Sequence, residues 1–335
     1  MRVGFNPNKD KKLDKSDFFH QVIVPIYIPN EKEYFKDSLK ILDYCLESLF
    51  KTSHAKTYIT IVNNGSCKQV VTYLNNLHKI GTIHEVIHTS SIGKLNAILK
   101  AVVGHQFDLI TVSDADVLFL NNWQDETYKI FNNFKKAGAV CTTPSSKSYK
   151  TYTSNIWFEK LFSKELKFSK VKNPKALKMF AQSIGDASFY NKSHLQKYLT
   201  VEENNYKAVV GAGHFVTTYR SDIFSKIKHN YSNYSLGGTS EAKLLDIPVI
   251  EKGYWRLSTL DNFTYHLGNV YEEWMHEEFK KLKNIQNNSI PIKLHKNRNQ
   301  YNLIYLLKNK IFSKMFSKKI LLKMKGLSAE EISTY

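Results

Sequence analysis

FDLITVSDADVLF, residues 107–119, is an apolar, β-branched run that delivers two aspartates one residue apart. Leu109 to Val112 carry no charge, the pattern of a strand covered on both faces. Asp114 and Asp116 follow it directly, so the strand would end in hard oxygen ligands. Such ligands suit Mg2+ or Mn2+ bridging a diphosphate. A lone D-x-D is common by chance, and the segments around this one give it meaning.

Upstream, QVIVPIY (21–27) is a short apolar run closed by Pro29 and Asn30, which predicts a buried strand feeding a loop. Phe35, Leu39, Leu42, Leu46 and Leu49 then recur at helical spacing, as for a helix with one buried face. TYITIV (57–62) is a second strand, ended by the turn NNGS (63–66). Val70, Val71, Leu74 and Leu77 predict a second helix, residues 82–87 a third strand, and Ile92, Leu95, Leu99 and Val102 a third helix. The quoted run is thus the fourth strand of an alternating series, which means βαβ crossovers. The expected fold class is α/β, with a Rossmann-like, mostly parallel central sheet flanked by helices and a basic helical extension at the C-terminus. Ligands of such sheets sit at the carboxyl ends of the strands, here 25–29, 63–66, 90–94 and 114–116.

Downstream, Tyr128, Ile130, Phe131 and Phe134 predict a helix and residues 137–141 a strand. Residues 144–206, rich in Lys, Ser, Tyr and Phe, read as irregular, better suited to surface contacts than to a sheet. GAGHFVTTYR (211–220) and IPVIEKGYWRL (247–257) are apolar again, separated by the Gly-rich loop 235–240. The expected organisation is an N-terminal extension (1–19), a nucleotide-binding α/β half (20–142), a second half of the same domain (143–275), and a basic amphipathic helical tail (276–335).

The 335 residues are 42% hydrophobic and 13% aromatic, a globular composition. They contain no run of about 18 uncharged apolar residues that could span a bilayer. Lys9, Lys11, Lys12 and Lys15 precede no apolar segment, so no secretory signal is expected and the cytosol is the default. Cys45, Cys67 and Cys141 match no zinc or redox spacing and read as buried thiols. The formal charge of +18 calls for a polyanionic partner. Residues 289–327 hold nine lysines and Arg298 with no acid, so ten of the eighteen net charges lie there. In YNLIYLLKNKIFSKMFSKKILLKMKGL (301–327), Ile304, Leu307, Ile311, Met315 and Leu322 share a helical face, with Lys318 snorkelling from it. That pattern reads as a helix lying on an anionic bilayer, each basic residue contributing roughly 1 kcal/mol near the surface. The alternative is a helix docked on the catalytic domain with a solvated lysine face.

In order and spacing, IVPIYIP (23–29), IVNNGS (61–66), SSIGKLNAILKAV (90–102) and SDADVLF (113–119) resemble glycosyltransferase family 2, the inverting enzymes of the GT-A fold. The resemblance covers roughly residues 21–269. It implies that the loop after Val24, with Pro25 and Tyr27, the Asn63-Asn64 turn and Lys94 hold the base and ribose of a nucleotide sugar, a UDP-sugar being favoured. Asp114 then addresses ribose and metal, and Asp116 the metal. The family usually has carboxylates where this chain has Asn63 and Asn64, and an amide both donates and accepts hydrogen bonds, which leaves the base open. Lys94 could instead be a solvated lysine at a helix start.

The resemblance also implies a carboxylate base, placed here by GGTSEAKL (237–244) at Glu241, with Asp186 in SIGDASFY (183–190) as the second candidate. A helix-capping carboxylate is the plainer reading of Glu241. His266, in YHLGN (265–269), matches a histidine that completes the metal site, and neutral imidazole suits Mn2+ better than Mg2+. Its plainer reading is a structural histidine beside aromatics. The Q-x-x-R-W motif of processive synthases is not matched by YWR (254–256), so transfer of a single sugar is expected. The function implied is a metal-dependent inverting glycosyltransferase of the hexosyl- or N-acetylhexosaminyltransferase class, acting on a saccharide or lipid-linked acceptor. The abundance of Lys, Asn, Ile, Tyr and Phe suggests an AT-rich bacterial gene, and by analogy surface polysaccharide synthesis at the inner face of the cell membrane.

A basic nucleic-acid-binding protein is the competing reading, since lysines and aromatics supply phosphate contacts and stacking platforms. It accounts for the tail alone, and nucleic acid is not expected as a partner. A nucleotidyltransferase would want a Gly-rich loop after the first strand, and IVPIYIPNEKEY has no glycine.

Overall fold

The computed structural model describes residues 3–14, 16–226, 231–285, 291–294, 302–315 and 319–335. Lys318, placed above on the apolar face of the tail, lies outside them. The first half alternates as expected: β1 (His20–Ile26), α1 (Ser38–Thr52), β2 (Thr57–Asn64), α2 (Lys68–Lys79), β3 (Glu85–Thr89), α3 (Lys94–Val102) and β4 (Leu109–Ser113). These four strands are parallel in the order β3-β2-β1-β4. The apolar run of β1 follows from burial on both faces: Val22, Val24 and Ile26 pack with Leu42, Leu46 and Leu74 of α1 and α2, whereas Ile23 packs with Leu95 and Ile98 of α3. Each such side chain taken from water contributes roughly 1.5–3 kcal/mol. Phe35 lies in a 3-10 turn ahead of α1, not in the helix itself.

β5 (Val117–Phe119), α4 (Trp123–Asn133) and β6 (Ala137–Cys141) follow. Residues 144–206, read above as irregular, instead contain α5 (Ser154–Lys160), β7 (Lys167–Lys170), α6 (Pro174–Ser183), α7 (Lys192–Gln196) and β8 (Lys197–Glu203). With β9 (Tyr206–Val210), the strands β7 and β8 extend the main sheet at its far edge. Their periodicity is hidden because β8 is covered on both faces, with Leu199 and Val201 in one cluster and Tyr198 in another. Two strands of the second half insert into the sheet: β10 (Val216–Arg220) runs antiparallel between β4 and β6, and β11 (Trp255–Ser258) lies beside β6. A π turn (Ala242–Asp246) and α8 (Ile247–Glu251) precede β11. β12 (Thr264–His266) pairs with β5 in a separate two-stranded sheet.

α9 (Glu273–Lys280), α10 (Asn302–Met315), α11 (Lys319–Met324) and α12 (Ala329–Thr334) end the chain. The tail docks on the domain: Phe312, Leu321, Leu322 and Leu327 join the cluster built by Tyr128, Trp157 and Trp255. Leu322 is therefore core, a correction to its place on a bilayer-facing stripe. Lys325 is also buried, with its Nζ donating to the carbonyls of Lys160 and Ser163, and burial lowers its pKa. None of the described helices is long and apolar enough to cross a membrane. Cys45 and Cys141 are buried and Cys67 partly so, all three as free thiols.

Candidate active site

The carboxyl ends of β1, β2 and β4 and the start of α3 open on one side of the sheet. Asn63 and Asn64 are buried there, and their side chains tie the turn together. Asn63 Oδ1 accepts from Ser66 N and its amide meets His88 Nδ1, while Asn64 Oδ1 accepts from Ile92 N. They brace the β2 turn against the segment leading into α3. Pro25 is half-buried in β1, and Tyr27 is exposed just beyond it, its ring edge-on to Phe35.

Lys94 opens α3, and Gly93 (φ +90°) lets the chain enter the helix against the loop at Tyr234 and Ser235. A Cβ at Gly93 would come within 2.8 Å of the Tyr234 carbonyl oxygen. Lys94 is not a solvated helix-start lysine. Its Nζ lies 2.5 Å from Asp114 Oδ1 and 3.5 Å from Glu241 Oε1. Burial alone would lower its pKa, but Asp114, Glu241 and Asp116 outweigh that and raise it. One ammonium thus joins the strand-end aspartate of the first half to the Glu241 carboxylate of the second.

Glu241 immediately precedes the π turn. Its Oε2 lies 3.6 Å from His214 Nδ1, whose Nε2 contacts both oxygens of Asp246 at 2.9 and 2.8 Å. A π turn closes i→i+5, which brings residues five apart round to the same side, and here sets Glu241 and Asp246 on either side of one imidazole. Asp246 is 1% exposed and pairs at 2.8 Å with Arg256, which is 0% exposed. Arg256 also donates to the carbonyls of Thr151 and Ala212. The chain Arg256–Asp246–His214–Glu241–Lys94–Asp114 runs from the core to the cleft. His214, Asp246 and Arg256 did not stand out in the sequence. Their only signals were a histidine just ahead of an apolar strand and an arginine in YWR.

Asp116 and His266 meet through the β5–β12 pairing, in which His266 lies opposite Val117 and Leu267 N donates to the Asp116 carbonyl. His266 Nε2 is 3.4 Å from Asp116 Oδ2. The other ring nitrogen meets Ser183 Oγ at 2.9 Å, and that hydroxyl itself donates to the Phe180 carbonyl. Ser183 then accepts from His266 Nδ1–H, so in the neutral imidazole the Nε2 lone pair faces the Asp116 carboxylate. Gly268 (φ +73°) permits this approach, for a Cβ there would lie 2.8 Å from the Ser183 carbonyl oxygen. Asp116 Oδ1 is buried without a hydrogen-bond partner. Burial raises the Asp116 pKa, with His266 opposing and Asp114 reinforcing. With the imidazole neutral, Nε2 and the Asp116 carboxylate, one of whose oxygens is orphaned, fit a cation, and oxygen with imidazole nitrogen is a donor set that Mn2+ accepts. Among the described residues no three acidic, His or Cys side chains form a ready-made metal cage. The remaining ligands would have to come from diphosphate and water, as is usual for Mg2+-type sites.

Asp186 is not in this cluster. It sits exposed in the loop after α6, accepting from the Ser188 backbone and hydroxyl.

No curated protein matches the sequence. Among solved structures the chain is similar to the mannosyltransferase PcManGT from Pyrobaculum calidifontis in complex with GDP-Man and Mn2+, at 13% identity over 77% of this chain and 59% of that one, TM-score 0.43. It is also similar to S. aureus TarS 1-349 in complex with UDP-GlcNAc, at 14% identity over 80% and 68%, TM-score 0.41. A third similarity is to GalNAc-T7 with UDP, GalNAc and Mn2+, at 11% identity over 75% and 43%, TM-score 0.46. The chain thus spans less than two thirds of PcManGT and of GalNAc-T7. The sequence profile described as Glycosyl transferase family 2 matches residues 22–200, more than half of the chain.

Proposed function

The chain belongs to glycosyl transferase family 2, and from that premise we propose that it is a metal-dependent inverting enzyme moving one sugar from a nucleoside diphosphate sugar to a saccharide or lipid-linked acceptor. The observation that carries this reading is the Lys94 ammonium held between Asp114 and Glu241. It gathers the strand-end carboxylate expected to address the donor and the carboxylate expected to act on the acceptor into one charged cluster.

In this reading Glu241 takes the proton of the acceptor hydroxyl as its oxygen attacks the anomeric carbon. A glycosidic C–O bond forms, the anomeric C–O bond to the diphosphate breaks, and the nucleoside diphosphate leaves with the electron pair. His214 lies 3.6 Å from one oxygen of Glu241 and lines its side of the site, and Asp246 and Arg256 hold His214 in place. Lys94 holds the other oxygen and places positive charge beside Asp114. Asp114, Asp116 and His266 would hold Mn2+ or Mg2+, which supplies charge neutralisation for the departing diphosphate. Asn63 and Asn64 shape the wall against which the base and ribose rest, with Pro25 and Tyr27 on its other side. Asp186 has no part in proton transfer here. A UDP-sugar is the donor to test first, and surface polysaccharide synthesis at the inner face of the cell membrane is the setting in which such an acceptor would be met.

The test is thermal stabilisation across nucleoside diphosphates and nucleotide sugars, with and without Mn2+. A ligand bound by the native state alone must raise the melting temperature. A metal-dependent rise with one nucleotide, lost in Asp116→Ala, is the expected result. No rise with any of them would remove the donor site.

A further inference from the structure

α10 is docked by one face only. Phe312 packs on Trp157 with ring centroids 5.4 Å apart, and Lys308 Nζ lies 4.8 Å from the centre of the Phe158 ring. These two residues, at i and i+4, mark the buried face. Leu307 and Ile311, four apart, lie on the adjoining face with Ile304 at its edge, and all three are exposed, Leu307 by 60%. Lys310 and Lys314 are exposed beside them.

α11 repeats the arrangement. Leu321 and Leu322 are buried, while Ile320 is 79% exposed and Met324, four residues on, is exposed as well, with Lys319 and Lys323 next to them. The segment both helices lean on adds exposed aromatics: Phe158 under Lys308, and Phe162, 90% exposed, between the two carbonyls that bond Lys325. Single exposed apolar residues are ordinary on a soluble protein. Here they recur at helical spacing on two successive helices, in a segment with ten basic residues and no acid between 289 and 327.

We infer that this flank, formed by α10, α11 and the end of α5, is a docking surface for an anionic lipid bilayer. The charge argues for this occupant. A protein partner would need an acidic surface that also accepts isoleucine, leucine and phenylalanine, whereas an anionic bilayer offers headgroup charge and acyl chains in one plane. No described helix can cross the membrane, so the helices lie along it, their apolar side chains entering and the lysines meeting phosphate. The surface differs from the expected amphipathic tail because the domain takes up Leu322, and Phe312 and Leu321 anchor the two helices on it. The inference is independent of the donor site, whose thermal shift would be unaffected by its failure.

The experiment is co-sedimentation of the full chain with vesicles of phosphatidylcholine containing phosphatidylglycerol, against pure phosphatidylcholine, at low and raised salt. Wild type should bind the anionic vesicles alone, and salt should weaken binding. The double variant Leu307→Asp/Ile311→Asp, both positions exposed, should keep the melting temperature and lose about tenfold or more in partitioning. Lys310→Glu/Lys314→Glu should lose binding to the same vesicles. Failure of wild type to bind, or unchanged binding by the Leu307→Asp/Ile311→Asp variant, would overturn the inference. So would a self-associated wild type that this variant turns monomeric without any vesicle binding.

Discussion

Arg256 has no access to solvent, and its guanidinium meets Asp246 and two backbone carbonyls. Asp246 bonds His214 in turn, and that imidazole lies 3.6 Å from Glu241, so a residue fifteen positions beyond the proposed base supports the imidazole beside it. Removing one member of a buried pair leaves the other uncompensated, which costs far more than the pair contributes. Asp246→Asn should therefore lower stability by about 3 kcal/mol, read as a fall in the urea midpoint without a change in slope. An unchanged midpoint would show that the carbonyls of Thr151 and Ala212 suffice for Arg256. At this scale Asp114, Asp116, Lys94, Glu241 and His266 could be picked out in the sequence because each sits in a local motif. His214, Asp246 and Arg256 could not, because their meeting depends on a π turn and on the placing of β11.

At the scale of elements, β1, β4 and α4 are joined by a buried polar network. His20 bonds Tyr128 and Thr111, and the same Tyr128 hydroxyl bonds His54 beyond the end of α1. Burial holds both imidazoles below their ordinary pKa, His54 at about 4. The native state thus resists protons that the unfolded chain accepts. The stabilisation is complete above about pH 6.5 and is lost as pH falls from there toward 4, on the order of 3 kcal/mol for His54. Denaturant midpoints measured across that range should fall with acid, and His54→Gln should flatten the fall. A profile as steep in His54→Gln as in wild type would assign the acid sensitivity elsewhere. The βαβ series was legible because its helices have one buried face at regular spacing. β7 and β8 were not: β7 has one apolar residue, Phe168, among lysines, and the apolar residues of β8 are shared between two faces.

Across the whole molecule, one sheet carries both halves of the chain, and the insertion of β10 and β11 among β4 and β6 brings Glu241 to the strand-end aspartates. The GT-A arrangement expected from the ordered motifs is the one the family implies. The tail docks on the domain through one face, which is the second of the two readings given above, and leaves another face exposed. The central claim is that the Glu241 carboxylate performs proton transfer at a donor site held by other residues. The most direct measurement is turnover of Glu241→Gln with the nucleotide sugar that stabilises the wild type, read as nucleoside diphosphate released. The account predicts that the variant keeps the Mn2+-dependent rise in melting temperature and loses roughly 10²–10⁴-fold in release. Release at the wild-type rate, with the donor still bound, would contradict it.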